Sequence, residues 1–93
     1  MTGGDELAAA EATDRALREQ IADLVRARTR ADAEAARLGT RTARPGADPG
    51  LAPIRDRYAQ QSARLGEEVE ALRAQLRAHE PELERLRARD AGA

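Results

Sequence analysis

Two ionisable side chains interrupt an apolar helical stripe in the first half of the chain. The stripe repeats at alternate spacings of three and four residues, and it contains Arg28 and, two heptads earlier, Asp14. A guanidinium is costly to bury there unless it pairs with a carboxylate or binds an anion. Three explanations stay open: Arg28 extends from an Ala-rich stripe into solvent, pairs with Asp14 of an antiparallel partner helix, or binds an anionic ligand.

Other reactive side chains are few. The single histidine, His79, has no second ligand at helical spacing beyond neighbouring glutamates, so we predict no metal site. The chain has no cysteine, and Ser62 has no base near it in sequence, which disfavours nucleophilic catalysis. The glycines of Pro45–Gly50 lack the strand and lysine of a phosphate-binding loop, and no cofactor is expected.

Composition is typical of long helices. Of 93 residues, 35% are charged and 1% are aromatic (Tyr58 alone), which allows one domain rich in Ala, Leu, Arg and Glu. Residues 26–44 hold six arginines and carry a local charge of +4, but the net charge of −1 and the lack of interleaved aromatics predict no nucleic-acid binding. No apolar run reaches the length of a membrane span, and we expect a cytoplasmic protein.

A Pro- and Gly-rich break at 44–50 divides the chain, because neither residue continues a helix well. The pattern predicts an all-α helical hairpin in one domain, residues 1–93. Gly39 is the expected end of the first helix and Gly66 a possible joint in the second. Pro81 either kinks the second helix, which the unbroken phase of the apolar stripe favours, or starts a short terminal helix. The expected bounds are a helix over 5–39, a turn over 40–50, a helix over 51–79 and a kinked or separate terminal helix over 81–90.

One apolar stripe on each helix buries little surface. The chain has ten leucines and no Phe or Trp, so a monomeric hairpin would be marginally stable. Self-association that covers the long first helix is the simplest remedy, and we expect an intertwined or coiled-coil homodimer.

The order of long helix, Pro-punctuated turn and shorter helices resembles the all-helical (AroQ-class) chorismate mutases. Leu24-Val25-Arg26-Ala27-Arg28 resembles the Leu-x-x-x-Arg of that family's first helix, and Pro45-Gly46-Ala47-Asp48-Pro49 resembles its Pro-x-x-Asp-Pro turn. The resemblance implies a cofactor-free isomerase that grips a chorismate-type dicarboxylate with cations from a homodimer.

The same resemblance implies roles for particular residues. Arg28 would be the catalytic cation at a carboxylate or the ether oxygen, and Arg18 or Arg41 would contribute a second cation. Asp48 would hold a substrate hydroxyl or cap the second helix, and Arg55 is a substitute cation.

Other family positions are not retained in this chain. In the gap-free alignment, Glu11 stands at the first Arg, Gly39 at the Lys, Leu51-Ala52 at the Arg-Glu pair and Ala88 near the late Gln. A register shifted by one heptad restores one Arg through Arg18 but misplaces Arg28.

The alternative hypothesis is a non-catalytic helical hairpin that binds a partner helix or drives oligomerisation. It follows from the family's catalytic positions that are not retained and from a regular apolar stripe in the second helix. The stripe consists of Leu65, Val69, Leu72, Leu76, Leu83 and Leu86.

Overall fold

Two long helices make up the protein. The computed structural model describes residues 3–92 and contains α1 (Gly3–Thr42) and α2 (Leu51–Gly92), with no strand in that range. The two helices pack against each other as a hairpin. The predicted all-α helical hairpin is therefore confirmed.

Helix α1 ends three residues later than the sequence suggests. Its first turn carries Asp5 and Glu6 and its last turn Arg41, which places charges favourably at both ends of the helix dipole. The expected stop at Gly39 is wrong, because the carbonyl of Gly39 accepts hydrogen bonds from the Thr42 hydroxyl (3.0 Å) and from the Ala43 amide (3.1 Å). These bonds extend the helix past the glycine.

The Pro and Gly residues determine the turn between the helices. Gly46 has a φ of 75°, in the left-handed region that glycine tolerates best. The Ala47 amide donates to the Arg44 carbonyl at 3.2 Å, and the Leu51 amide donates to the Asp48 carbonyl at 3.1 Å. Helix α2 accordingly begins at Leu51, as predicted.

Helix α2 is one continuous element. It runs through Gly66 and contains Pro81 in its interior, so the expectations of a joint at Gly66 and of a separate terminal helix are wrong. Leu83 and Leu86, which follow Pro81, are buried in a cluster with Ala10 of α1, and Leu7 packs against it. This burial holds the segment after the proline in helical geometry despite the lost backbone hydrogen bond.

Two compact units can be described, each with residues from both helices. One is made of α1 as far as Ala22 and α2 from Glu70 onward, and the other is Asp23–Val69. The first has the cluster around Leu83, and the second buries Ala31, Leu38, Ser62 and Val69. No side chain among residues 3–92 is less than 2% exposed, so the interior of each unit is thin. Over the same residues, neither helix has a stretch long and apolar enough to cross a membrane.

Candidate functional site

Arg28 lies on the surface of the unit Asp23–Val69. Its side chain is exposed, and its guanidinium lies over Gly66 of α2: a Cβ placed on that glycine would be 3.0 Å from both Cζ and Nη1 of Arg28. Within residues 3–92, Arg28 makes no ion pair of 4.0 Å or less. The structure therefore agrees with the explanation that Arg28 extends from the stripe into solvent, where its charge is accessible to an anion.

Arg18 and Asp14 form a local pair in the other unit. The Arg18 Nε donates to the Asp14 Oδ2 at 3.0 Å, one helical turn apart. The Asp14 side chain is only 14% exposed, and its second oxygen, Oδ1, is buried without a hydrogen-bond partner in the described chain. A buried oxygen left without a partner loses its hydration with no compensation.

Replacing Asp14 with leucine is expected to stabilise the protein by about 1–2 kcal/mol, because the substitution removes the unpartnered oxygen and adds apolar area to the stripe. The measurement is urea unfolding followed by helical circular dichroism. The matched control is Asp23→Leu, since the Asp23–Arg26 pair is also local but exposed on both sides. The control should change stability by no more than about 0.5 kcal/mol. A loss of stability in Asp14→Leu would contradict the prediction.

Arg55, Arg41 and Asp48 lie near the turn. Arg55 is half-buried and donates from Nη1 to the Thr42 hydroxyl at 3.3 Å, while its Nη2 contacts Asp56 at 3.1 Å. Arg41 is exposed in the last turn of α1. The Asp48 Oδ1 accepts the Gly50 amide at 2.8 Å, immediately before α2 begins. This bond closes a local turn before the helix, whereas a capping side chain would accept from an amide inside the first turn of α2.

The predicted site residues do not form one cluster within the unit Asp23–Val69. Arg55 contacts the residue that follows Arg41, so these two belong to the turn end of the unit. Arg28 lies thirteen residues before Arg41 on the same helix, which corresponds to about 20 Å along its axis. A single small dicarboxylate would not reach from one to the other.

His79 has a structural contact. Its Nε2 is 2.9 Å from the carbonyl oxygen of Ala10, and because a carbonyl only accepts, this nitrogen carries the proton. Among residues 3–92, no group of three or more His, Asp or Glu side chains is placed to hold a metal ion. The histidine joins α2 to α1 inside the first unit.

Sequence analysis missed a polar contact between the helices. Ser62 is buried at 6% exposure, and its hydroxyl donates to the carboxylate of Asp32. The sequence does contain a signal for this contact: Ser62 lies in the apolar stripe of α2, and a buried serine hydroxyl needs a hydrogen-bond partner. The Ser62–Asp32 contact favours one register of the two helices in this unit, because a one-turn slip would separate the hydroxyl from the carboxylate.

A second feature missed from the sequence is an exposed face centred on Gln61. Gln61 lines all three of the adjoining shallow depressions in the unit Asp23–Val69, and Tyr58 lines two of them. We call it the Gln61 face. Helix α2 contributes Ile54, Arg57, Tyr58, Gln61, Arg64, Leu65 and Glu68, and α1 contributes Ala27, Arg30, Ala31 and Glu34.

The Gln61 face combines apolar area with unpaired charge. Ile54 is 42% exposed, and Tyr58 and Leu65 are half-buried. Arg30, Arg57 and Arg64 make no ion pair in the part of the chain that the structure describes. The helical spacing of 54, 58, 61 and 65 was visible in the sequence, but only the packing of the hairpin shows that this side remains uncovered.

The fold and this face define a class of protein: a two-helix hairpin that presents an amphipathic surface. Comparisons with protein-family models, curated proteins and solved structures find no match for this chain. Its function is inferred below from the contacts, burial and charges of its own residues.

Proposed function

We propose that this protein is a helical self-association module, in which the hairpin completes its hydrophobic interior by packing against a second copy. The observation that carries the proposal is the large accessible surface area of the chain. The chain has 6567 Å² of accessible surface at a mass of 10.1 kDa. A monomeric protein of that mass typically exposes about 5,300 Å².

This excess is larger than one side of an ordinary protein interface. The difference is about 1,300 Å², whereas each partner in an ordinary stable complex buries about 800 Å². The apolar interior also leaves room for such an arrangement, since its buried members include the small residues Ala10 and Ala31 and none of them is completely enclosed. Pairing of two hairpins would bury the remaining sides of half-buried apolar residues such as Tyr58 and Leu65.

Self-association of the unmodified chain is the direct test. We expect sedimentation velocity to show a monomer–dimer equilibrium at micromolar concentrations, with thermal stability that rises with protein concentration. A protein that stays folded and monomeric up to millimolar concentration, with concentration-independent stability, would overturn the proposal.

The second candidate is the chorismate-mutase-like activity implied by the family resemblance. The observation in its favour is that Arg28 is exposed and unpaired within residues 3–92, as an anion-binding arginine would be. The distance of about 20 Å between Arg28 and Arg41 along α1 means that other cations of such a site would have to come from a second copy.

Chorismate absorbance distinguishes the two candidates. For a self-association module we expect no loss of absorbance beyond the uncatalysed rate, even at high protein concentration. Turnover that disappears in Arg28→Ala but persists in Arg77→Ala, an exposed arginine outside the Asp23–Val69 unit, would establish the isomerase instead.

A further inference from the structure

We infer that the Gln61 face is the self-association surface, and that it pairs with the same face of a second copy with the two α2 helices antiparallel. The inference rests on the proposed function, because it names the surface through which the module associates. It places a twofold axis between positions 61 and 64 of α2.

The apolar part of the face fits this arrangement. Ile54, Tyr58 and Leu65 lie on one side of α2, at spacings of four and seven residues. About this axis, at 62.5, Tyr58 of one copy lies within about 3 Å along the helix of Leu65 of the other, because the midpoint of 58 and 65 is one residue away at 61.5, and each such contact occurs twice. Tyr58 is already half-buried in the hairpin, so its ring is held in place before the second copy binds.

The polar part is complementary to itself about the axis between positions 61 and 64. Arg57 and Glu68 line one depression, and they are equidistant from the midpoint between Gln61 and Arg64. Antiparallel pairing therefore brings Arg57 of each copy to Glu68 of the other. It also brings Arg64 to Gln61, whose amide oxygen can accept from the guanidinium. Arg57 thus meets a carboxylate and Arg64 a neutral acceptor.

This self-complementarity favours a second copy over other occupants. An isologous interface requires that a residue and its contact exchange roles across the axis, and the pairs Arg57–Glu68 and Gln61–Arg64 meet that requirement about one midpoint. The face carries Arg30, Arg57 and Arg64 against Glu34 and Glu68, a net charge of only +1, which provides little attraction for a polyanion. The alanines at 27 and 31 allow a close approach at the α1 side of the groove.

A charge exchange tests the pairing. Arg57→Glu or Glu68→Arg alone should raise the dimer dissociation constant about tenfold or more, because each change replaces two attractions with two repulsions. The double variant Arg57→Glu/Glu68→Arg should return to within about threefold of the unmodified protein, since the attractions are restored with reversed sign. Sedimentation velocity measures the constants, and circular dichroism checks that each variant is helical.

Arg77→Glu is the matched control. Arg77 is an exposed arginine of α2 outside the Gln61 face, makes no ion pair within residues 3–92, and its substitution changes the net charge as Arg57→Glu does. It should alter the dissociation constant less than about threefold. Association that is equally sensitive to Arg57→Glu and Arg77→Glu, or a double variant no better than the single ones, would overturn the inference and leave the proposed function standing. A chain that is monomeric throughout would overturn both.

Tyr58 provides an independent readout. It is the only aromatic residue, so the intrinsic fluorescence of the protein comes from the Gln61 face alone. On dimerisation we expect acrylamide to quench this fluorescence less efficiently, because the second copy covers the ring. Unchanged quenching across the concentration range where the dimer forms would place the interface elsewhere.

Discussion

Replacing Leu83 with alanine is expected to destabilise the protein by about 2–4 kcal/mol, which is a large share of the stability of a chain this size. Leu83 is 3% exposed and packs in the cluster with Ala10 and Leu86. Its loss leaves a void between two helices that have no further layer of side chains to collapse into it. Urea unfolding at low protein concentration measures the change without a contribution from association.

Val25→Ala is the control for this prediction. Val25 is also aliphatic and helical but 38% exposed, so its truncation should change stability by no more than about 0.5 kcal/mol. If Leu83→Ala cost no more than Val25→Ala, the cluster around Leu83 would not be the main source of stability in its unit.

Local chemistry explains which parts of the fold were predictable. Proline and glycine restrict the backbone at their own positions, and so the turn and the start of α2 at Leu51 follow from the sequence. The prediction that α1 ends at Gly39 is wrong, because the position of the helix end depends on hydrogen bonds that residues after Gly39 donate to its carbonyl. Intrinsic preference is a weak guide wherever such contacts, or burial, compete with it.

In the candidate site too, some features were predictable from the sequence and others were not. The three-and-four spacing places Asp14 in the apolar stripe of α1, and its side chain is half-buried there beside Arg18 of the same helix. Ser62 and His79 of α2 instead contact Asp32 and Ala10 of α1. These two partners could not be predicted, because the periodicity of one helix does not determine its register against another. Arg28 shares the same spacing, yet its long side chain reaches solvent over Gly66.

The Gln61 face required the packed hairpin to be recognised. The sequence places Ile54, Tyr58 and Leu65 in the same apolar stripe as Ser62 and Val69, and the spacing alone does not tell which members of that stripe are covered. The structure shows Ser62 and Val69 buried, with Ile54 exposed. That difference distinguishes the interior of this unit from the surface on which the proposed self-association depends.

The second large effect is expected from Pro81→Ala, which should stabilise the protein by about 1–3 kcal/mol. Proline has no amide hydrogen, so the carbonyl of Arg77 lacks its helical partner inside α2, and alanine restores that bond. Pro81 is exposed, so its ring contributes little packing that the substitution could remove. Thermal unfolding by circular dichroism should show the midpoint rising by about 4–8 °C per kcal/mol.

Pro53→Ala separates this effect from a general effect of proline on the unfolded chain. Pro53 is exposed in the first turn of α2, where an amide has no helical acceptor, so the control should change stability by no more than about 0.5 kcal/mol. A neutral or destabilising Pro81→Ala would contradict the prediction. It would mean that the backbone geometry imposed by the proline is what positions Leu83 and Leu86 against Ala10, and that a regular helix would lose packing worth as much as the restored hydrogen bond.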